Sequence, residues 1–298
     1  MAPLRAQASG PTRIGALASQ NSGQAFYAQK RDAYARAGLD VKIQTFQSGA
    51  ASADALAGGA IDVGIADALS LTSAHAHGVP LVYIAPASIF TAAHPSYVVM
   101  VSANSPIATA KDFNSKTIGV NGIKNILQIP TEAWIDNNGG DSKTVKFVEI
   151  PFPAQGPAII AGRIDAGLVS EPFIANNVAT GKLRVISVAH KTIAPQFMYS
   201  GWATTTAWAS ANPDVVRKLV RVFAETAAWA NTHDAETAAM LVDFAKLEPE
   251  VAKKMIRVAY GDRLNAALVQ PVIDAAAKYG VIPKGFPASE IFSPVALH

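Results

Sequence analysis

Short apolar runs broken by polar turns dominate the first half of the chain. Thr12-Arg13-Ile14-Gly15-Ala16-Leu17-Ala18 predicts a strand and Ser19 to Gly23 a polar loop. A helix is expected from Gln24 to Ala37, closed by Gly38 as a left-handed cap. Leu39 to Phe46 alternates apolar and polar positions, the period of a strand, and Gln47-Ser48-Gly49 turns the chain into an Ala-rich helix over Ala50 to Ala57. Gly59-Ala60-Ile61-Asp62-Val63-Gly64-Ile65-Ala66 then reads as a buried strand. The order strand, helix, strand, helix, strand implies parallel pairing with right-handed crossovers.

The same phrase returns as Gly162-Arg163-Ile164-Asp165-Ala166-Gly167-Leu168-Val169, again after an Ala-rich helix (Ala154 to Ala161). A repeat at this spacing is too long for a solenoid unit and predicts two similar α/β lobes. Strands of the second lobe are expected at Thr117-Ile118-Gly119-Val120, Val145 to Val148 and Val185 to Val188, with a helix from Ile126 to Asn137. Tyr97 to Val101 is a further β-forming stretch, placed in the first lobe, and the chain returns through Phe197 to Ala207. From Asn212-Pro213 the pattern is helical: Val216, Leu219, Val220, Phe223, Ala227 and Ala230 share one face. Helices at Glu248-Pro249 and Leu264 to Tyr279 are expected to pack on the first lobe. The domain reading is 9–102 plus 200–298 for lobe 1 and 103–199 for lobe 2, with crossings near 101–105 and 190–205.

Composition narrows the function. With 50% hydrophobic and 16% charged residues, the chain has the makings of packed cores throughout. A net charge of +3 comes from scattered Lys and Arg without an aromatic platform, so no nucleic-acid partner is expected. No apolar run reaches the eighteen or more residues of a bilayer-spanning helix. Cysteine is absent, which removes disulfides, thiolate metal sites and Cys nucleophiles. Ala6-Gln7-Ala8 has the small-x-small form of a signal-peptidase site. No Gly-x-Ser-x-Gly elbow, His-Glu-x-x-His or Walker loop occurs. His75 and His77 cannot share a helix face and have no third ligand nearby, so no metal, catalytic group or cofactor is read from the chain.

Seven motifs in series carry a family likeness: Gly59 to Gly64, Gly78-Val79-Pro80-Leu81, Asn104-Ser105-Pro106-Ile107, Lys111-Asp112-Phe113, Lys116 to Val120, Gly162 to Ala166 and Glu171-Pro172-Phe173. Together they resemble the periplasmic solute-binding proteins of ABC importers, in the nitrate/sulfonate/taurine-type branch that includes binders of thiamine-precursor pyrimidines. The resemblance implies an α/β chain of type II periplasmic-binding fold, two lobes on a two-strand hinge with a solute trapped in the cleft. It also implies export to the periplasm after removal of a signal peptide, a monomer, and importer membrane subunits as partners.

Ligands of parallel α/β lobes sit beyond the carboxyl ends of strands, at helix N-termini. That rule selects Gln20, Asn21, Ser48, Gly49, Asp67 and Ser70 from the first lobe. From the second it selects Asn121, Gly122, Ile123, Phe152 and Glu171. Sulfonate binders of the family often place Ser or Thr where this chain has Asn121-Gly122-Ile123, which points away from a simple sulfonate. Glu171 suits an amine or an aminopyrimidine edge, or else a nearby Arg or turn. Phe90, Phe152, Phe173 and Trp202 are candidate aromatic walls. The solute expected is a nitrogen-bearing or aromatic small molecule. The alternative is an enzyme on the same two-lobe fold acting on a small heterocycle, although the related folds that do chemistry depend on cysteines.

Overall fold

The structure, a computed structural model, describes residues 10–297; the Ala6-Gln7-Ala8 site lies outside them. The first half of the chain forms β1 (Thr12–Leu17), α1 (Gly23–Lys30), α2 (Ala33–Arg36), β2 (Val41–Phe46), α3 (Gly49–Ala57), β3 (Val63–Asp67) and α4 (Ala68–Ala76). It continues with β4 (Leu81–Pro86), β5 (Ser88–Thr91), β6 (Tyr97–Ser102), β7 (Thr117–Val120), α5 (Gln128–Asn137) and β8 (Lys146–Glu149). Then come α6 (Phe152–Ile160), β9 (Ala166–Ser170), α7 (Phe173–Ala179), β10 (Leu183–Ser187), β11 (Gln196–Met198) and β12 (Ser200–Thr205). The remainder is α8 (Thr206–Ala211), α9 (Pro213–Ala230), α10 (Asp234–Ala245), α11 (Pro249–Lys254), β13 (Ala259–Tyr260) and α12 (Ala266–Lys278). Among the described residues no helix is long and apolar enough to cross a membrane.

Two units result. The first takes the described chain up to Ile89, Met198–Leu247 and the stretch from Ala259 onward; the second takes Phe90–Phe197 and Glu248–Val258. Two elements fall on the other side of the boundaries expected from the sequence. β6, assigned to lobe 1, lies inside the second unit's sheet, antiparallel to β9 and β10. Five of its six residues, Tyr97 to Val101, are 5% exposed or less, and such a strand fits only where both faces are covered. α11 belongs to the second unit, where it packs on α7. The chain therefore changes unit four times instead of twice, first within β5 and next within β11.

In the first unit the sheet order is β2-β1-β3-β12-β4, with β1, β2 and β3 parallel and β12 antiparallel to both neighbours. Ile14, Val63 and Ile65 pack with Trp202 and Phe223 in its core. Trp202 is not a wall for ligand: it is fully buried, stacks on Phe223 at 4.5 Å and donates Nε1–H to Gln24 Oε1 at 3.0 Å. The helix expected over 24–37 is divided, because Asp32 takes a left-handed conformation between α1 and α2. α9 buries Val216, Leu219, Phe223, Ala227 and Ala230, as its periodicity predicts.

The second unit repeats that order as β8-β7-β9-β6-β10, again three parallel strands followed by an antiparallel one. The repeated phrase does the same work in both. Asp62 accepts the backbone N–H of Arg13, and Asp165 that of Thr117, each at 2.8 Å. Gly59 and Gly162 hold φ of +72° and +68°, which an L side chain resists. Ile61 lies over the paired Gly15 and Gly64, and Ile164 lies over Gly119, which pairs with Gly167. Val98, Met100 and Val169 pack with Ala158, Ile159 and Ile174 in this unit's core. Phe90, another candidate wall, is buried against Phe197 at 5.0 Å.

Candidate functional site

Parallel strands deliver their carboxyl ends to one edge of a sheet, and each unit carries such an edge. In the first unit, β1 ends at the turn holding Gln20 and Asn21, β2 ends at Ser48, and β3 ends at Asp67. Ser48 Oγ caps α3 by accepting the Ala51 N–H at 3.1 Å. Asp67 caps α4: Oδ1 accepts the N–H groups of Leu69 and Ser70 at 3.1 and 2.9 Å, and Oδ2 accepts the Ser70 hydroxyl at 2.5 Å. These short side chains start helices because their oxygens replace the missing intrahelical acceptors of the first turn.

Gly49 brings the two caps together. A Cβ there would lie 3.3 Å from both Asp67 N and Oδ2, so a side chain would push α3 and α4 apart. Ser48, Gly49, Asp67 and Ser70 thus form one cluster. Burial pushes the Asp67 carboxyl above its ordinary range, opposed by the hydrogen bonds from Ser70 and Leu69. Gln20 is 4% exposed, and its carbonyl accepts the Tyr260 hydroxyl at 2.5 Å; Asn21 beside it is half-buried. Ser22, inside the Ser19–Gly23 loop chosen from the sequence, closes this loop by accepting the Leu17 N–H at 3.0 Å.

In the second unit the loop after β7 is stitched to itself. Asn121 Oδ1 accepts from Asn125 Nδ2 at 2.8 Å, while Asn125 Oδ1 accepts the N–H groups of Leu127 and Gln128. Gln128 Oε1 accepts the N–H of Lys124, whose φ is +55°, and Gln128 Nε2 donates to Glu132. Gln128 was missed, whereas Asn125 closes the Asn121–Asn125 loop chosen from the sequence, and an Asn just ahead of a helix is a capping signal. Gly122 lies in the bend, and Ile123 stands out at the tip with 48% exposure.

The neighbouring ends of β8 and β9 lead into Phe152 and Phe173, the first residues of α6 and α7. Their half-exposed rings lie 6.4 Å apart and 23° from parallel. Glu171 is 8% exposed, with Oε2 accepting the Ala175 N–H at 3.1 Å and Oε1 the Ile256 N–H at 3.0 Å. Desolvation raises its pKa and the two backbone hydrogen bonds oppose that rise. Glu171 therefore fastens α7 and the 255–257 segment within the unit, a structural role other than the Arg pairing or turn weighed for it above. His75 pairs with Glu290 at 3.3 Å and His77 with the Ser73 carbonyl at 2.8 Å. Among the described residues no group of three or more His, Cys, Asp or Glu side chains could hold a metal ion.

Comparison with solved structures identifies the fold. The chain is similar to the periplasmic aliphatic sulphonate binding protein SsuA of Escherichia coli (19% identity, 95% of this chain and 92% of that one covered, TM-score 0.78). It is similar to the periplasmic nitrate-binding protein NrtA of Synechocystis PCC 6803 (13% identity, 96% and 86% covered, TM-score 0.78). A third likeness is to the Candida albicans CA3427 gene product, described as having the generic periplasmic binding protein fold (15% identity, 94% and 93% covered, TM-score 0.74). At these identities the likeness establishes the periplasmic binding protein fold, as expected from the sequence. No curated protein matches the sequence. Residues 19–237 match the family model described as NMT1/THI5 like, and the chain belongs to that family.

Proposed function

We propose that this protein is a periplasmic solute-binding protein that delivers a small organic solute to the membrane subunits of an ABC importer, acting as a monomer. The observation that carries the reading is the duplicated carboxyl edge: in each unit three parallel strands end at helix starts whose loops hold the polar and aromatic candidates together. Sulphonate- and nitrate-binding proteins with the same fold support it, as does membership of the NMT1/THI5-like family.

The solute is a nitrogen-bearing or aromatic molecule in preference to a simple sulfonate. Asp67 puts a carboxylate on the first unit's edge, where an N–H or ammonium group is the complementary partner. Phe152 and Phe173 give the second unit's edge an apolar surface suited to a ring. A hydroxyl cradle for an oxyanion is missing from the Asn121–Ile123 loop.

A thermal-shift screen tests this. The protein is unfolded and refolded to strip bound ligand, then offered aminopyrimidines, aromatic carboxylates, taurine, alkanesulfonates and nitrate. A solute at a hundred times its Kd adds about 2.7 kcal/mol of stability. An aminopyrimidine or other amine-bearing ring is expected to raise Tm by several degrees. A response confined to taurine, alkanesulfonates or nitrate would overturn the solute class, and silence across the panel together with an empty unstripped protein would overturn the binding role.

A further inference from the structure

An Asn side chain can offer a neighbour either its carbonyl oxygen or its NH2 group, and a flip of the amide exchanges the two without changing its outline. In the loop after β7, partners that only donate decide which way two such amides lie. Asn125 Oδ1 accepts two backbone N–H groups, those of Leu127 and Gln128, at 3.0 and 3.1 Å. A backbone N–H cannot accept, so the Asn125 carbonyl is committed to the start of α5 and its Nδ2 is turned back along the chain. There it meets Asn121 Oδ1 at 2.8 Å. An amide nitrogen only donates, so the atom of Asn121 that it reaches is the carbonyl oxygen. Asn121 is left with Nδ2 on its free side. Those two N–H groups meet no acceptor among the described residues, and the half-buried side chain keeps them within reach of solvent.

The surrounding contacts hold this arrangement in place. Ile150 N–H donates to the Val120 carbonyl at 2.7 Å, which anchors the residue just before Asn121. Gln128 Oε1 accepts the Lys124 N–H at 2.7 Å, and Gln128 Nε2 donates to the Glu132 carboxylate, also at 2.7 Å. Gly122 supplies the room, since a Cβ there would stand 3.3 Å from Asn125 Nδ2. Asn121 itself follows β7 directly, at the carboxyl end of a strand inside the second unit's sheet.

We propose that Asn121 meets the solute as a hydrogen-bond donor, with Asn125 as the positioning residue that holds its amide in that sense, and that the solute carries an acceptor such as a ring nitrogen against the second unit. The solute part rests on the function proposed above; the orientation of the amide does not. The proposal narrows the solute class. An amine-bearing ring that lacks an acceptor would cover the Asn121 N–H groups without bonding them, and leaving a buried donor unmade costs more than a made bond contributes. The arrangement is analogous to the outer-shell groups that orient ligating side chains in other sites.

Side-chain amide NMR of the nitrogen-15-labelled, ligand-free protein reads the orientation. Asn121→Asp and Asn125→Asp each delete one NH2 signal pair and so assign both; if either variant fails to fold, through-bond correlation of each Nδ2 with its own Cα assigns them in the wild type. Asn125 is expected to show one proton exchanging with water about tenfold more slowly than the other, and Asn121 two that both exchange fast. A slow proton on Asn121, or none on either residue, would overturn the proposal.

Calorimetric titration with 2-aminopyrimidine and aniline reads the solute side, because both carry an amine on a flat ring and only the first has ring nitrogens. 2-Aminopyrimidine is expected to bind the wild type about tenfold more tightly than aniline. Asn121→Asp keeps the acceptor for Asn125 and loses the two N–H groups. It is expected to bring that ratio below about threefold, and the comparison of two amines cancels the added charge. A ratio unchanged by Asn121→Asp would overturn the donor role and leave Asn121 a structural member of its loop. The NMR measurement involves no solute, so its failure is distinct from a silent solute screen.

Discussion

Glu171 Oε1 accepts the backbone N–H of Ile256 at 3.0 Å, joining two residues 85 positions apart within the second unit. With Oε2 on the Ala175 N–H, the carboxylate satisfies two backbone donors that its removal would leave unmade. Each unsatisfied buried donor costs about 1–3 kcal/mol. Glu171→Ala is therefore expected to lower stability by about 2–4 kcal/mol in urea denaturation, and Glu171→Gln, which keeps one acceptor, by about half as much. Unchanged stability with weakened solute binding would return Glu171 to the solute.

Gly64 and Gly15 face each other across β3 and β1 with Ile61 and Ser52 lying on top of them. A Cβ at Gly64 would come within 2.6 Å of Ser52 Oγ, and one at Gly15 within 2.5 Å of Ile61 Cδ1. Each Gly→Ala change is expected to cost about 1–3 kcal/mol by overpacking. Ser52 Oγ is buried without a protein hydrogen-bond partner, so Ser52→Ala alone is expected to be nearly neutral. In its background the cost of Gly64→Ala should drop by about 1 kcal/mol, while that of Gly15→Ala, set by Ile61, should not. Equal relief of both, measured as double-mutant cycles in urea, would contradict the geometry.

These glycines show which parts of the fold could be read in advance. Gly59-Ala60-Ile61-Asp62 and Gly162-Arg163-Ile164-Asp165 are local devices: a left-handed glycine, an apolar plug and a carboxylate for the next strand's first N–H. Local chemistry is written in adjacent residues, so the repeat and the sheet pattern were visible. The partner of a strand is not. Tyr97 to Val101 is apolar throughout and would suit the middle of either sheet; pairing with β9 and β10 decides the matter. α11 likewise carries no signal of its own, and its unit is settled by its packing on the distant α7. At the candidate site the same division holds. Ser48 and Asp67 could be read because capping is local, whereas the role of Glu171 depended on a residue from another part of the chain.

Asp67 separates capping from binding. Asp67→Ala removes the acceptor for Leu69, Ser70 and the Ser70 hydroxyl and is expected to cost about 1–2 kcal/mol. Asp67→Ser keeps a capping oxygen without the charge and should hold stability within about 0.5 kcal/mol. If the carboxylate meets an amine-bearing solute, that second variant is still expected to lose tenfold or more in affinity by titration calorimetry. Wild-type affinity in Asp67→Ser would leave the residue only its cap.

His190 gives the acid limb of stability a distinct sign. Burial depresses its folded pKa to about 3, against an ordinary imidazole value near 6.5. Between those values the unfolded chain binds the extra proton and the folded chain does not, so stability falls as pH drops below about 6.5, by about 1.4 kcal/mol per unit. Asp67 and Glu171 act in the opposite sense: their pKa values are raised by burial, so in the range just above an ordinary carboxyl the folded state binds more protons and gains stability as pH falls. Both contributions persist in His190→Phe, so the difference between the variant and the wild type isolates the imidazole. Between pH 7 and pH 4.5 the wild type is expected to lose about 2.5 kcal/mol more than His190→Phe in urea denaturation. Parallel curves would mean a ring that titrates alike in both states, which a neutral imidazole enclosed by Phe90, Tyr97 and Phe197 cannot do.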